Sequence, residues 1–361
     1  MDSTPSTARK KRSALLDCIR AVAVSMVILF HVGVELGTVP DPVAAWFTRH
    51  GLLGVDIFFP LSGFLITSFL IRHHDGPDIG IFFLRRFFRI VPLYMVALIV
   101  FALASLATAT NLDTIGNLWK NALFLTGWTI FHEGRSVVPY TITWSLSVEE
   151  FAYIVIGLGA FVLRGRIAAL LLALTLGALA LRFAINVAGL PNVYFYPPAR
   201  LDSVALGGLT AWAMMRGKPV LLPLLGALGI GWIGLQMGRI PFHTLIYFEI
   251  SILTCMTIYI IAKYLPNARG PVIDAIASVG YYSYFIYLFH YFNIAGIIEI
   301  ESAFGIDLGF WFVGFLSLLL SYGQAWLSFR VFEGPLMAFG RRLEVYVKSE
   351  RLPRTRREIS K

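Results

Sequence analysis

Ten times along this chain an apolar run continues for roughly the length a helix needs to cross a bilayer: 14–36, 52–71, 90–108, 144–163, 167–188, 201–216, 220–238, 243–263, 280–300 and 308–332. A hydrocarbon core about 30 Å thick is spanned by about 20 residues at helical rise. Composition agrees with this reading. Of 361 residues, 57% are hydrophobic and only 14% charged, against about 25% charged in soluble domains. So few charges cannot cover a water-soluble globule of this size. The chain is therefore expected to be all-α, a polytopic membrane protein of about ten transmembrane helices. The stretch 112–128, with Trp119 and Trp128, is only moderately apolar and reads as an interfacial or re-entrant segment.

Charge placement orients the chain. Basic clusters fall at Arg9–Arg12, Arg72 with Arg85, Arg86 and Arg89, Arg164 with Arg166, Arg216 with Lys218, Lys263 with Arg269, and from Arg341 onward. The intervening loops on the opposite side carry Asp41, Asp113, Glu133, Glu299, Glu301 and Asp307, with scattered basic residues such as Arg49, Lys120, Arg135 and Arg239. By the positive-inside rule both termini are cytoplasmic. The net charge of +9 thus belongs to membrane orientation and not to nucleic-acid binding. The expected division is a basic cytoplasmic N-terminus (1–13), a membrane domain (14–336) and a basic cytoplasmic tail (337–361). The first run contains Asp17, Arg20 and His31, which do not belong in a cleaved signal core, so it reads as a retained first helix. Two cysteines, Cys18 and Cys255, both in apolar runs, suit neither a disulfide framework nor a thiolate metal site.

Ionisable residues within spans are costly and mark candidate function. Arg20 and His31, eleven positions apart, lie on nearly one helix face about 16 Å apart along the axis, with Asp17 one turn below Arg20. Taken singly, Arg20 fits an interfacial anchor and His31 a packing residue; together they outline a polar stripe. Asp56 opens the second span, where it can orient a histidine, and Pro60 with Ser62-Gly63 loosens that helix. Arg85, Arg86 and Arg89, interleaved with aromatics, end the second cytoplasmic loop and suit a phosphate-rich ligand as well as a positive-inside stop. Glu149 and Glu150 enter the fourth span as neighbours, so only one need face a site and serve His31 as the acid of a triad does. Arg200 and Asp202 open the sixth span; Ser283, Tyr287 and His290 share a face of the ninth. Arg182 and Glu249 stand as intramembrane charges that can pair with each other. No Walker-type loop, zinc-ligand spacing or Gly-x-Ser-x-Gly elbow occurs in a fitting context, so any transfer chemistry falls to histidine and carboxylates, without metal.

In order, Leu16-Asp17-x-x-Arg20-Ala21 with His31, Gly54-Val55-Asp56-x-Phe58-Phe59-x-Leu61-Ser62-Gly63-Phe64-Leu65-Ile66, Arg85-Arg86-x-x-Arg89-Ile90-x-Pro92-x-Tyr94 and Thr143-Trp144-Ser145-Leu146-Ser147-Val148-Glu149 are followed by Arg200-x-Asp202 with Gly207, Ser283-Tyr284 with Tyr287 and His290, and Glu333-x-Pro335. This ordered set, over about 14–336, resembles the acyltransferase-3 family of integral-membrane acyltransferases. The resemblance implies ten membrane helices, an acyl-CoA donor (usually acetyl-CoA) and a hydroxyl-bearing acceptor such as a sugar of a surface polysaccharide, a lipid-linked glycan or a small glycosylated molecule. It also implies an Arg20-to-His31 motif and an Arg86/Arg89 pair that handles the donor. Cys18 stands where Gly is usual, Pro60 where Val is, and Glu150 where Gln is; the extra acid leaves the identity of the catalytic carboxylate open.

The resulting expectation is an O-acyltransferase of the cell inner or plasma membrane. His31 is the general base, Asp56 or Glu149 its carboxylate partner, and Arg20, Arg85, Arg86 and Arg89 hold acyl-CoA. Asp17, Ser62, Trp144, Ser147, Glu150, Arg200, Asp202, Tyr287 and His290 support the site or receive the acceptor. The competing reading is a proton-coupled secondary transporter that uses the same histidine and carboxylates as a relay.

Overall fold

The computed structural model describes residues 13–72, 79–163, 165–236 and 242–351. The basic residues Arg9–Arg12, Arg164 and Arg239 and the tail beyond 351 lie outside the described residues. The architecture is helical, with no strand among the described residues. In chain order the helices are α1 (Ala14–Leu36), α2 (Pro42–His50), α3 (Gly54–Arg72), α4 (Ile79–Ala107), α5 (Leu112–Ile115), α6 (Leu118–Ala122), α7 (Thr126–Glu133), α8 (Trp144–Val162), α9 (Ile167–Val187), α10 (Leu201–Met215), α11 (Leu221–Gln236), α12 (Phe242–Tyr264), α13 (Pro271–Tyr281), α14 (Ser283–Phe304), α15 (Gly309–Ser328) and α16 (Gly334–Arg351).

Seven helical segments are long and apolar enough to cross a membrane, or eight when α13 and α14, bent by 71° at Tyr282, count as one span. The sequence leads to ten. The difference lies chiefly in α10 and α11, of 15 and 16 residues, which fall short of the about 20 residues a crossing needs. Burial explains α10: Asp202, Ser203, Gly207 and Gly208 face neighbouring helices on almost every side, so it is a core helix that begins with polar residues. The stretch 112–128, expected to be interfacial or re-entrant, folds as the short helices α5, α6 and the start of α7, tied into the bundle by Asn121. Its amide nitrogen lies 2.9–3.1 Å from the hydroxyls of Thr126 and Thr143 and from the Tyr140 carbonyl, which share its two N–H donors.

The distribution of side chains is that of a body surrounded by lipid. Leu103 and Leu106 on α4 and Phe315 on α15 are each 61% exposed, whereas Asp56, Arg182, Arg200 and Asp202 are 0% exposed. With hydrocarbon outside, charge is stable only where other protein groups satisfy it.

Two close approaches fix the frame around the site. On α3, a Cβ at Gly63 would overlap the Val204 carbonyl oxygen, and on α10 a Cβ at Gly207 would overlap that of Pro60. Only glycine at both positions lets these backbones touch, the same device by which small residues join membrane helices. The arginines expected in a loop instead form the first turns of α4, since nothing in Phe-Leu-Arg-Arg-Phe-Phe-Arg breaks a helix. At 29 residues α4 is about 44 Å long, more than a bilayer core, so its arginine-bearing turns reach the boundary.

Candidate active site

α1 and α14 lie side by side, and their contacts rank the polar groups along one axis. Arg20 of α1 and Ser283, Tyr284 and Tyr287 of α14 line a common cavity. His31 then meets His290, and farther along the Tyr291 hydroxyl donates to Glu35 at 2.7 Å. The polar stripe of α1 thus has a matching stripe on α14, and the two run in the same direction.

The cavity, about 330 Å³, is lined by residues of α1, α3, α4, α8 and α14. Four arginines line it: Arg20, Arg85, Arg86 and Arg89. Arg20 donates to Asp17 at 2.5 Å. Arg85 forms a bidentate pair with Glu344 of α16 at 2.6 and 2.7 Å, so α16 covers that edge. Arg86 lies 3.2 Å from Glu150 and 3.8 Å from Glu149, with its guanidinium 3.0 Å from the centre of the Tyr153 ring. Its Nε–H is buried without a hydrogen-bond partner among the described residues. A buried donor left unmade is costly, and in an arginine-lined cavity an anionic oxygen is the natural acceptor. Glu149 accepts from Ser62 at 2.7 Å and from the Tyr153 hydroxyl. The carboxylate thereby holds α3 and α8 together at the cavity wall.

Ser145 and Tyr287, joined by a hydrogen bond at 2.7 Å, also line the cavity. Three residues farther along α14, about 4.5 Å of helical rise, stands His290, fully buried. Its Nδ1 is 2.7 Å from the Tyr287 carbonyl and its Nε2 is 3.0 Å from Nδ1 of His31. His31 Nδ1 is also 2.9 Å from the Val27 carbonyl. His31 is half-buried, and its Nε2 forms no hydrogen bond among the described residues.

The structure separates several residues that the sequence reading groups together. Neither Asp56 nor Glu149 hydrogen-bonds to His31. Asp56 instead pairs with Arg200 and accepts from Tyr194 at 3.0 Å. The Arg200 guanidinium also lies 4.6 Å from the Tyr247 ring and 5.0 Å from that of Tyr194. Arg182 pairs with Asp202 at 2.7 and 2.9 Å, not with Glu249. Both pairs are wholly buried between helices, where each charge needs its partner. Ser147 accepts from the Gly127 backbone N–H at 3.1 Å and so anchors α7. Trp144 packs against Phe59, Tyr194 and Phe195. Ser62, Glu149, Arg20, the three α4 arginines and Tyr287 all reach the cavity; Glu150 touches it through Arg86.

Three contributors were given no role in the sequence reading. Tyr153 follows Glu149 by four residues, so helical spacing alone places its hydroxyl within reach. Ser145 lies inside the Trp144-to-Glu149 segment, but its bond to Tyr287 is not legible from there. Glu344 carries no signal at all, since it reaches Arg85 across 259 positions of chain.

Comparison with known proteins places this assembly. The sequence model of the acyltransferase-3 family, described as an acyltransferase domain, matches residues 14–328. A protein of Staphylococcus aureus (strain COL), provisionally named an O-acetyltransferase, is 35% identical over 152 residues, covering 38% of this chain and 23% of the relative. A provisionally named peptidoglycan O-acetyltransferase of Bacillus subtilis (strain 168) is 31% identical over 231 residues, 58% of this chain and 34% of that protein. A provisionally named membrane-bound transacylase of Komagataeibacter xylinus is 27% identical over 306 residues, 78% of this chain and 73% of that protein. The chain therefore spans only about a quarter to a third of the length of the first two relatives. No solved structure matches it. The chain belongs to the acyltransferase-3 family and has several apolar membrane-length helices.

Proposed function

We propose that this member of the acyltransferase-3 family transfers an acyl group, acetyl in the first instance, from acyl-CoA to a hydroxyl of a carbohydrate acceptor, with Nε2 of His31 as general base. The observation that carries the proposal is the arginine-lined cavity whose lining reaches Tyr287, one helical turn short of the His31–His290 pair. Acyl-CoA brings phosphates to the arginine end, where the Nε–H of Arg86, without a hydrogen-bond partner among the described residues, takes an anionic oxygen. The thioester reaches His31 past the Ser145–Tyr287 contact. The acceptor hydroxyl gives its proton to Nε2 as its oxygen attacks the thioester carbonyl carbon. The C–S bond then breaks, and the CoA thiolate takes up the proton. Such general-base assistance contributes about 10²–10⁴ in rate.

The basic clusters support an arrangement with both termini and the arginine end of the cavity in the cytoplasm of a plasma or inner membrane. The acceptor then meets His31 from the side of Glu35 and Tyr291. The provisional name of the Bacillus relative, a peptidoglycan O-acetyltransferase, favours a surface glycan as acceptor. The test is transfer of labelled acetyl from acetyl-CoA to isolated surface glycan in membranes carrying the wild type or His31→Gln. Loss of label with His31→Gln at equal protein amount is expected. Near-normal turnover would overturn the role of His31, and substrate flux without CoA release would favour a transporter.

A further inference from the structure

We infer that His290 is the positioning residue for His31, filling the place usually taken by a carboxylate; this rests on the reading of His31 as the general base. The hydrogen-bond pattern admits one arrangement of protons for the neutral pair. A carbonyl oxygen only accepts, so the Tyr287 carbonyl, 2.7 Å from His290 Nδ1, requires the proton on Nδ1. The neutral His290 ring then presents a lone pair at Nε2. The same logic applies to His31: the Val27 carbonyl, 2.9 Å from its Nδ1, requires an N–H there. That N–H is shared with His290 Nε2 at 3.0 Å, and the two requirements agree. If His290 carried a second proton, two N–H groups would face each other across that distance.

The consequence for chemistry is directional. With Nδ1 protonated, the lone pair of His31 sits on Nε2, the atom with no hydrogen bond among the described residues. When Nε2 takes the acceptor proton, the Nδ1–H becomes a stronger donor, and the lone pair of His290 stabilises the imidazolium. The two carboxylates nearest in the sequence argument are held elsewhere, Asp56 by Arg200 and Tyr194, Glu149 by Ser62 and Tyr153. A neutral acceptor also avoids placing an unpaired anion inside the membrane. His290 cannot pass the proton onward, because its other nitrogen is bonded to a carbonyl; it orients and stabilises without relaying.

His290→Phe keeps a flat ring without the acceptor, and His290→Gln restores an acceptor oxygen. Per folded molecule, kcat is expected to fall about 10–100-fold in His290→Phe, as for outer partners of functional histidines. KM for acetyl-CoA should stay unchanged, and His290→Gln should recover most of the loss. A packing role would move both variants together with their thermal stability. Wild-type kcat in His290→Phe, or no advantage of His290→Gln over it, would overturn the inference. Should His290→Phe not fold, solid-state NMR of ¹⁵N-histidine-labelled wild type decides, with His31 assigned by difference against His31→Gln. The Nδ1–H form of His31 is expected, and the Nε2–H form would sink the idea. Loss of transfer in His31→Gln beside a normal His290→Phe refutes the positioning role alone. Retained transfer in His31→Gln refutes the general-base reading beneath it.

Discussion

Asp56→Asn distinguishes a charge that holds helices from one that takes part in chemistry. Asp56 and Arg200 are both 0% exposed and paired, and Arg200 Nε and Nη1 already lack hydrogen-bond partners among the described residues. The substitution therefore removes the charge of the one carboxylate that hydrogen-bonds to this guanidinium among the described residues, and leaves only a neutral amide oxygen to accept from it. Breaking one side of a buried pair costs about 3–5 kcal/mol, a large part of the about 5–15 kcal/mol that holds a folded protein together. The Tyr194 and Tyr247 rings beside Arg200 do not offset this, because their attraction is present before and after the change. Replacing both partners, as Asp56→Asn with Arg200→Gln, removes the charge along with its counter-charge and should recover most of the loss. The assay is thermal unfolding in detergent micelles across the double-mutant cycle, read beside acetyl transfer per folded molecule. A strong fall in Asp56→Asn and recovery in the double variant is expected. Wild-type stability with abolished transfer would refute the structural role and return Asp56 to the chemistry.

Gly63→Ala places a Cβ against the Val204 carbonyl and should cost at least the about 1–3 kcal/mol of an overpacked core; an unchanged monodisperse yield and melting midpoint would contradict the α3–α10 contact. Arg86→Lys keeps the charge but removes the planar fork and its Nε–H. KM for acetyl-CoA should rise about tenfold or more, the worth of a hydrogen bond to a charged group; an unchanged KM would separate Arg86 from donor binding. Asp41 caps α2 by accepting from the Ala44 and Val43 N–H groups and accepts from Trp311 Nε1 at 2.8 Å. The Ala44 hydrogen bond first, then that of Trp311, holds its carboxyl below the usual carboxylate range. Because the folded value is depressed, the contribution is present above the unfolded value of about 3.9 and is lost as pH falls through the folded one. Trp311 emission, isolated by difference against Trp311→Phe, should change only below about pH 4; a transition near neutrality would contradict this.

Within the site, legibility followed the range of the interaction. Helical spacing is local, so Asp17 beside Arg20 and the pairing of Ser283, Tyr287 and His290 on one face follow from 3.6 residues per turn. Tyr153 above Glu149 was readable in the same way, although only the contact identified it. Partners across helices were not readable. Asp56 and Glu149 each suit an imidazole by charge, and nothing in their local sequence says that Arg200, Tyr194, Ser62 and Tyr153 reach them first. For Arg182 the sequence offered Glu249, and the packing of α9 on α10 supplied Asp202 instead.

The sequence by itself determined that this chain lives in a membrane, which ionisable residues fall within its apolar runs, and that the family motifs are present in order. Those properties rest on composition and on transfer from water to hydrocarbon, a sum over residues that does not depend on their neighbours. The tertiary structure decided which buried charge meets which, that the arginines begin a helix, that α10 lies inside the bundle, and that His31 faces a second histidine. Each of these depends on angles and distances between segments far apart in the chain, where a hydrogen bond exists or is absent within a few tenths of an ångström.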